Sequence, residues 1–481
     1  MEYNLSNRNN SYHKGIDWVT VLLYTLLVVF GWFNLYAANF NPETKVFFSI
    51  DAEYFKQLMW IGVTIILIGA LMLVDSKIFV ELASILYGVS LLLLLLTLVV
   101  GKEVNGAKAW LGFGPVQFQP VEMTKIATAL LISRIISRYG FSFSFRNIMQ
   151  MGLVLLVPIA FVLLQNDTGS ALIFLIFLFP MFREGMSGHI LTIGIVSIIA
   201  AIASLLKGSP LVMCVVLALF VIALTLYLSY IGHKRVAFIS VITGVFAMLF
   251  MALYLHFFGD LIHWDWVVFA CATVLTVYLL TVSVIKRIKR VSTFIMYLWI
   301  ALLVSFVTGY AFNNILIEHQ RTRINILFGI EEDPLGAGYN VNQSLIAIGS
   351  GGVTGKGFLE GTQTKLNFVP KQSTDFIFCT VGEEWGFLGC VALIALYFAF
   401  FMRLIQLAEK QHSVFSRVYG YSIVCIFFFH FAVNICMTIG LMPVIGIPLP
   451  FFSYGGSSFL GFSMMLFIFL KLDTDRNELI R

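Results

Sequence analysis

The sequence has too little charge for a protein that folds in water. Only 11% of its 481 residues are charged, whereas 59% are hydrophobic. A soluble domain carries about 25% charged residues, and a chain this apolar could not cover itself with polar surface. The shortage of charge excludes a soluble globular protein and predicts a membrane protein.

Patterns for disulfides, metals and nucleic acids are also missing. The six cysteines lie in apolar segments without CxxC spacing, which favours small core residues over disulfides or metal ligands. The eight histidines form no zinc motif such as HExxH. The formal charge of +5 fits basic cytoplasmic loops and does not indicate nucleic-acid binding. No metal site is predicted.

Long uncharged runs predict an all-α, polytopic membrane protein. Residues 18–36, 82–100, 210–231 and 294–312 each approach the roughly 20 residues that a helix needs to cross a bilayer. Helices are expected because backbone groups must be paired within lipid, and the runs are too long for barrel strands. The spans, about fourteen in number, begin near residues 16, 57, 79, 120, 147, 169, 189, 209, 236, 263, 292, 375, 417 and 455.

Basic residues predict the orientation, with the whole chain, 1–481, as one membrane domain. An N-terminus inside leaves most of the 30 Lys and Arg residues in cytoplasmic loops, so both termini are predicted to be cytoplasmic.

Two outer segments then differ from the rest. Residues 101–120 are polar and glycine-rich. Residues 313–374 run for about sixty residues without a clear span, and their apolar side chains favour short interfacial helices over disorder.

The stretch from Arg321 through Asp333 to Lys356 is the most informative for chemistry. It combines carboxylates, cations and many glycines beside the membrane. It fails as a Walker A phosphate loop, because Ser350 and Gly357 stand where Gly and Ser or Thr are required. The alternative is a solvated loop whose glycines only make turns, and the residues alone support both interpretations equally.

Charged residues also enter apolar segments. Glu122 and Lys125 are three residues apart, so they share a helix face and can pair. The pair either faces a cavity or is a structural ion pair. Asp167 is predicted to cap the next helix, which is at least as well supported as a substrate contact. The carboxylates of Asp375, Glu383 and Glu384 enter an apolar helix and are hard to explain by packing. In residues 446–458, Pro and Gly break a helix, and nearby hydroxyls can satisfy the freed backbone in a re-entrant turn.

Taken together, these stretches resemble the SEDS family (shape, elongation, division and sporulation), and its rod-elongation branch more than its division branch. The matching segments occur in the family's order and are FQPVEMTKIA, QNDTGSALI, DPLGAGYNVNQSLIAIGSGGVTGKG, GTQTKLNFVPKQSTDFIF, GEEWGFLG and GIPLPFFSYGGSS. The resemblance implies a peptidoglycan glycosyltransferase that polymerises lipid II during cell elongation and shape maintenance. It further implies action on the outer face of the bacterial cytoplasmic (inner) membrane, with a class B penicillin-binding protein in the elongation machinery.

The resemblance also assigns residues. The family's essential loop aspartate falls on Asp333, as the general base that takes a proton from the acceptor sugar hydroxyl. Cationic side chains could stabilise the polyprenyl diphosphate leaving group. No cofactor is predicted, although a divalent cation is compatible with a diphosphate. The predicted substrate-binding residues are Gln119, Glu122, Lys125, Asp167, Arg321, Arg323, Gln343, Lys356 and Asp375.

The sequence departs from the family in three places. The common QPDLG reads QNDTG at residues 165–169, and the basic residue before Trp110 is replaced by Ala109 beside Lys108. Relatives usually have fewer spans before the catalytic loop, so residues 208–290 are predicted to be an extra helical block.

Two other functions stay open. One is a lipid II flippase or transporter, which should carry its key charges near the membrane midplane. The other is a non-catalytic cell-wall scaffold.

Overall fold

The computed structural model describes residues 15–40, 52–104, 106–113, 116–258, 264–316, 318–327, 330, 338–366 and 368–476. Helices dominate this part of the chain, as expected where lipid leaves the backbone no water to bond. They are α1 (Trp18–Asn39), α2 (Glu53–Leu73), α3 (Ser76–Val100), α4 (Pro120–Ile136), α5 (Phe145–Leu164), α6 (Thr168–Ile173), α7 (Leu178–Arg183), α8 (Gly188–Lys207), α9 (Ser209–Tyr230), α10 (Lys234–Phe258), α11 (Trp264–Lys286), α12 (Val291–Asn314), α13 (Glu318–Leu327), α14 (Tyr339–Ser350), α15 (Thr362–Lys365), α16 (Ile377–Glu409), α17 (Val414–Thr438) and α18 (Gly456–Thr474).

The predicted class, a polytopic all-helical membrane protein, is confirmed. Every predicted span has a helix that begins within about four residues of its expected start. Among the described residues, 11 helices are long and apolar enough to cross a membrane. The other three predicted spans are α4, which has 17 residues, the apolar stretch Thr168–Arg183, and α10. The stretch after α12 holds the short helices α13, α14 and α15.

The polar segment before α4 is a small sheet, which the sequence analysis missed. Strands β1 (Lys102–Val104), β2 (Ala107–Phe113) and β3 (Val116–Phe118) pair antiparallel in that order. Two of the strands have only three residues, too few for an alternating pattern to be recognised. The backbone N–H of Lys108 donates to the carbonyl of Gln165 at 2.9 Å, so the sheet is tied to the break after α5.

The chain divides into two compact units, one of Met1–Met186 with Glu332–Arg481 and the other of Ser187–Glu331. In the first unit, α4 is the central helix, because it packs against α3, α17 and α18 and nearly all its residues are buried. Helix α16 packs against α1, α14 and α17. The central position of α4 forces its charged residues to find partners inside the protein.

In the second unit, α8 to α12 enclose an apolar core of their own. Helix α12 packs against α8 and α9, and α9 also contacts α10 and α11. Leu217, Leu224 and Leu302 are completely buried in this core. The indole N–H of Trp299 donates to the hydroxyl of Thr276 at 3.1 Å. The predicted extra block, residues 208–290, falls within this unit.

Two ion pairs join helices of the first unit. The guanidinium of Arg403 binds the carboxylate of Asp17, which also caps α1. Arg417 binds Glu184 through two hydrogen bonds of 2.8 Å. Burial raises the pKa of Asp17, but hydrogen bonds from Arg403 and Thr20 outweigh it and lower the pKa to about 2. One pair thus joins the start of α1 to α16, and the other joins α17 to the residue after α7.

Candidate functional site

The non-helical residues 446–455, between α17 and α18, lie at the centre of the candidate site. A break in the middle of apolar helices exposes backbone carbonyls that must find donors inside the protein. Three buried side chains supply them. Asn434 donates to the carbonyl of Ile447 at 2.8 Å, and Tyr397 donates to the carbonyl of Pro450 at 2.5 Å. The Nδ1 atom of His430 lies 3.2 Å from the carbonyl oxygen of Pro448.

The same segment is joined to the residues that lead into α16. The hydroxyl of Ser453 donates to the carbonyl of Thr374 at 2.7 Å and accepts from the N–H of Leu449 at 2.9 Å. The amide of Asn434 donates to the carbonyl of Asp375 at 2.8 Å. The expectation that hydroxyls satisfy the broken backbone is therefore confirmed for Ser453, and the segment also fixes the backbone of Asp375.

The carboxyl group of Asp375 lies at the edge of this arrangement. Its side chain is 13% exposed, and its Oδ2 is 3.8 Å from the ammonium of Lys371. Burial raises the pKa of Asp375 above its usual value, and the nearby Lys371 partly offsets that rise. Because the carboxyl is partly exposed, it is able to meet a ligand in this conformation.

A buried polar cluster lies on α4. The predicted pair of Glu122 and Lys125 is present, with the Lys125 ammonium 2.9 Å from Oε1 and 2.8 Å from Oε2 of Glu122. The same ammonium lies 3.2 Å from Nε2 of His430 and 5.0 Å from the centre of the Phe462 ring. Lys125 is 0% exposed and Glu122 is 4% exposed. A substrate would reach these groups only after a change of conformation.

Asp167 and Gln119 lie next to this cluster. The carboxylate of Asp167 caps α6, as predicted, by accepting from the N–H of Ser170 at 3.0 Å. Its Oδ2 also accepts from the side-chain amide of Gln119 at 3.1 Å, just before α4. Gly169 packs against the carbonyl of Ile445, where a Cβ would approach to 2.7 Å. Residues 165–169 therefore contact both the start of α4 and the segment before α18.

A second cluster surrounds Glu383 in the first turns of α16. Its carboxylate accepts from the backbone N–H groups of Thr362, Gln363 and Thr364 at 2.7–3.0 Å. It also accepts from the ammonium of Lys356 at 2.7 Å. Glu383 is 0% exposed, whereas the side chain of Lys356 is 25% exposed. In the sequence, packing did not explain why a carboxylate enters this apolar helix. In the structure, it holds the loop of residues 356–364 against α16.

We expect Glu383→Gln to release this loop. The substitution places an amide NH₂ group where an oxygen now meets N–H donors, and it removes the negative charge opposite Lys356. Such a loss of a buried charged acceptor costs about 3 kcal/mol or more. Hydrogen exchange at the amides of residues 362–364 should accelerate at least about tenfold, because their protection depends on this carboxylate.

Glu360→Gln is the matched control, since Glu360 is an exposed carboxylate of the same loop. Its exchange rates at residues 362–364 should stay close to those of the unchanged protein. Equal exchange in the two variants would contradict the assignment of Glu383 as the anchor of the loop.

The remaining candidates are placed as follows. Arg321, in the second unit, donates from Nη2 to the carbonyl of Asn313 at 2.6 Å and from Nε to that of Leu316 at 3.1 Å. It thus covers carbonyls at the end of α12, where a cation is favourable. Gln343 is half-buried on α14. Arg323 lies on α13, with its side chain outside the described residues, and Asp333 lies outside them altogether.

His430 is the residue that the sequence analysis missed. It belongs to no zinc pattern, yet it is 1% exposed and contacts both Lys125 and the carbonyl of Pro448. An ionisable residue inside an apolar span was a signal that could have identified it. Its partner on α4 is 305 positions away in the chain.

The arrangement offers fixed charges and hydrogen-bond donors of the kind that stabilise a charged substrate. Lys125 and Lys356 are each held by a carboxylate, so their ammonium groups are already oriented. In the part of the chain that the structure describes, no group of three or more His, Cys, Asp or Glu side chains could hold a metal ion.

Similar proteins match almost the whole chain. The sequence model of the FtsW/RodA/SpoVE family, described as "Cell cycle protein", matches residues 17–220 and 219–478. The peptidoglycan glycosyltransferase RodA of Treponema pallidum (strain Nichols) is 31% identical over 457 residues, which are 92% of this chain and 94% of that protein. The peptidoglycan glycosyltransferase MrdB of Escherichia coli (strain K12) is 28% identical over 425 residues, 88% of this chain and 86% of that protein.

A solved structure has a similar fold. The chain resembles one from a peptidoglycan synthase complex described as coordinating polymerization and crosslinking, with a TM-score of 0.61 and 25% identity. The similarity covers 96% of this chain and 99% of that one. The residues of both α4 and the 446–455 segment lie within the matched ranges of the family model. The chain belongs to the FtsW/RodA/SpoVE family, the SEDS family to which its motifs point.

Proposed function

We propose that this chain is a peptidoglycan glycosyltransferase that polymerises lipid II into glycan strands during cell elongation and shape maintenance. The observation that carries the proposal is the 31% identity, over 92% of the chain, to a relative named peptidoglycan glycosyltransferase RodA. The reaction joins the anomeric carbon of one sugar to a hydroxyl of another and releases polyprenyl diphosphate. It needs a base for the hydroxyl proton and positive charge for the leaving group.

Asp333 is the proposed base. It follows two further carboxylates, Glu331 and Glu332, in the sequence between α13 and α14. A carboxylate within hydrogen-bond reach of the acceptor hydroxyl would take its proton as the new bond forms. The proposal for Asp333 is supported by the family motif in which it stands, DPLGAGYNVNQSLIAIGSGGVTGKG.

Cations are proposed to bind the diphosphate of the donor. Lys356 is the described candidate with the most accessible ammonium, and Glu383 holds it in place. Arg321 and Arg323 stand on α13, just before the loop of Asp333. A cation that is already oriented stabilises developing phosphate charge without reorganisation. The other predicted residues are proposed to shape the substrate site: Gln119, Gln343, Asp167, Asp375 and the pair Glu122–Lys125. A divalent cation bound to the diphosphate is compatible with this proposal.

The proposed place of action is the outer face of the cytoplasmic membrane. The distribution of Lys and Arg supports cytoplasmic termini, and the eleven predicted spans before Asp333, an odd number, would then leave that residue outside. The proposed partner is a class B penicillin-binding protein that crosslinks the new strands. Support comes from the likeness to a chain of a complex that coordinates polymerization and crosslinking.

The test is polymerisation of lipid II by the purified full chain in lipid vesicles, with and without a class B penicillin-binding protein whose transpeptidase is blocked. We expect glycan strands of many disaccharides, resolved by gel electrophoresis, and more of them with the partner. If lipid II stays monomeric under both conditions, the proposal is wrong.

A lipid II transporter is the second candidate, and one observation favours it. The charges of Glu122 and Lys125 and the imidazole of His430 are buried between α4 and α17, as expected for a transport pathway. The same vesicles separate the two functions. A transporter would move labelled lipid II between leaflets without forming glycan, whereas the enzyme forms glycan from lipid II that is already on the outer leaflet.

A further inference from the structure

We propose that His430 is a positioning residue, which links the buried ammonium of Lys125 to the segment that fixes Asp375. The inference rests on the proposed function, because it assigns a role in that reaction to a residue outside the sequence motifs. His430 is carried by α17, Lys125 by α4, and the linked segment is residues 446–455.

The hydrogen-bond partners define the protonation of the ring. Nδ1 lies 3.2 Å from the carbonyl oxygen of Pro448, which can only accept a hydrogen bond. Nδ1 therefore carries the proton. Nε2 lies 3.2 Å from the ammonium of Lys125, which can only donate, so Nε2 offers its lone pair. A neutral imidazole meets both demands at once, and its orientation is set by them.

Lys125 needs this acceptor. Its ammonium has three N–H groups and is completely buried. The carboxylate of Glu122 approaches it at 2.8 and 2.9 Å, and His430 provides a third polar contact. Phe462 packs its ring against the imidazole, with ring centres 4.7 Å apart, and faces the ammonium as well. Without the imidazole nitrogen, an N–H of a buried cation would point at apolar atoms.

The link continues from His430 to the region of Asp375. His430 and Asn434 are one turn apart on α17, so their side chains lie on one face. His430 contacts the carbonyl of Pro448, while Asn434 donates to the carbonyls of Ile447 and Asp375, each at 2.8 Å. One helix face thus carries a chain of polar contacts from Lys125 on α4 to the backbone of Asp375.

A purely structural histidine would behave differently. It would fill space, and an apolar side chain of similar volume could replace it. A positioning residue instead needs one donor and one acceptor at the right separation. Glutamine offers both groups on a side chain of similar length, asparagine offers them on a shorter one, and leucine offers neither.

The experiment compares His430→Gln, His430→Asn and His430→Leu in the full chain, with lipid II polymerisation measured at several lipid II concentrations. We expect kcat within about threefold of the unchanged protein for His430→Gln, and at least about tenfold lower for His430→Asn and His430→Leu, with KM little changed in all three. Thermal melting shows which variants are folded. If His430→Leu does not fold, the comparison of His430→Gln with His430→Asn decides the question.

A double variant tests the link itself. If His430 acts through Lys125, the variant with Lys125→Met and His430→Leu should be no less active than Lys125→Met alone. Losses that multiply would overturn the inference, as would equal kcat in all folded His430 variants. The unchanged protein distinguishes this result from failure of the proposed function, because it must polymerise lipid II in the same assay.

Discussion

Asp333→Ala should reduce lipid II polymerisation by at least about 100-fold, the contribution expected of a general base. The acceptor hydroxyl cannot attack while it keeps its proton, and alanine removes the group proposed to take it. The loss should fall on kcat, with KM for lipid II little changed, because the base acts in the transition state. The measurement is the initial rate of glycan formation by the purified chain with its class B partner.

Glu332→Ala is the matched control for Asp333→Ala. It removes the same charge from the neighbouring position of the same loop. We expect its rate to stay within about threefold of the unchanged protein, because a general attraction between charges is weak in salt, whereas the base needs one positioned carboxylate. If both variants lose activity equally, the effect is one of loop charge, and Asp333 is not the base. A scaffold protein would tolerate both substitutions.

Lys125→Met should lower the free energy of unfolding by about 3–5 kcal/mol, the usual cost of leaving one partner of a buried ion pair alone. The carboxylate of Glu122 would keep its burial and lose the ammonium that approaches both oxygens. Nε2 of His430 would lose a donor as well. Equilibrium unfolding in detergent, followed by helical circular dichroism, measures the change.

Arg183→Met provides the comparison. Arg183 forms an ion pair with Glu409 at 2.9 Å, but the side chains are 51% and 48% exposed. An exposed pair contributes about 0–1 kcal/mol, so this variant should unfold almost like the unchanged protein. Similar losses in the two variants would show that Lys125 is not held by a buried pair.

Removing both charges of the buried pair separates stability from function. The variant with Glu122→Gln and Lys125→Met leaves no uncompensated charge, so most of the lost stability should return. Activity should not return if the cluster positions the site through His430. A double variant that is as unstable as Lys125→Met alone would contradict this explanation.

Local features of the molecule were predictable from the sequence. The apolar runs located the helices, because a span must be long and uncharged. The cap at Asp167 and the pair of Glu122 and Lys125 were also predictable, because the partners lie three residues apart and one turn of helix brings them together.

Features that depend on distant residues were not predictable. The partners of His430 and Asn434 come from other elements, and no spacing rule connects them. Glu383 stood out as a carboxylate in an apolar helix, but its partners, the backbone N–H groups of residues 362–364, belong to a loop about twenty residues earlier. The bend of α16 at Gly386, where φ is 64°, likewise depends on the close approach of the backbone of Gly355.

The central claim is glycosyl transfer from lipid II, and the leaving group tests it most directly. The purified full chain with its class B partner, whose transpeptidase is blocked, is given lipid II, and polyprenyl diphosphate and glycan-linked disaccharide are both quantified. The account predicts about one polyprenyl diphosphate released per disaccharide added to a strand, and both products formed at least about 100-fold more slowly with Asp333→Ala. Lipid II that crosses the vesicle membrane intact, without release of polyprenyl diphosphate, would contradict it.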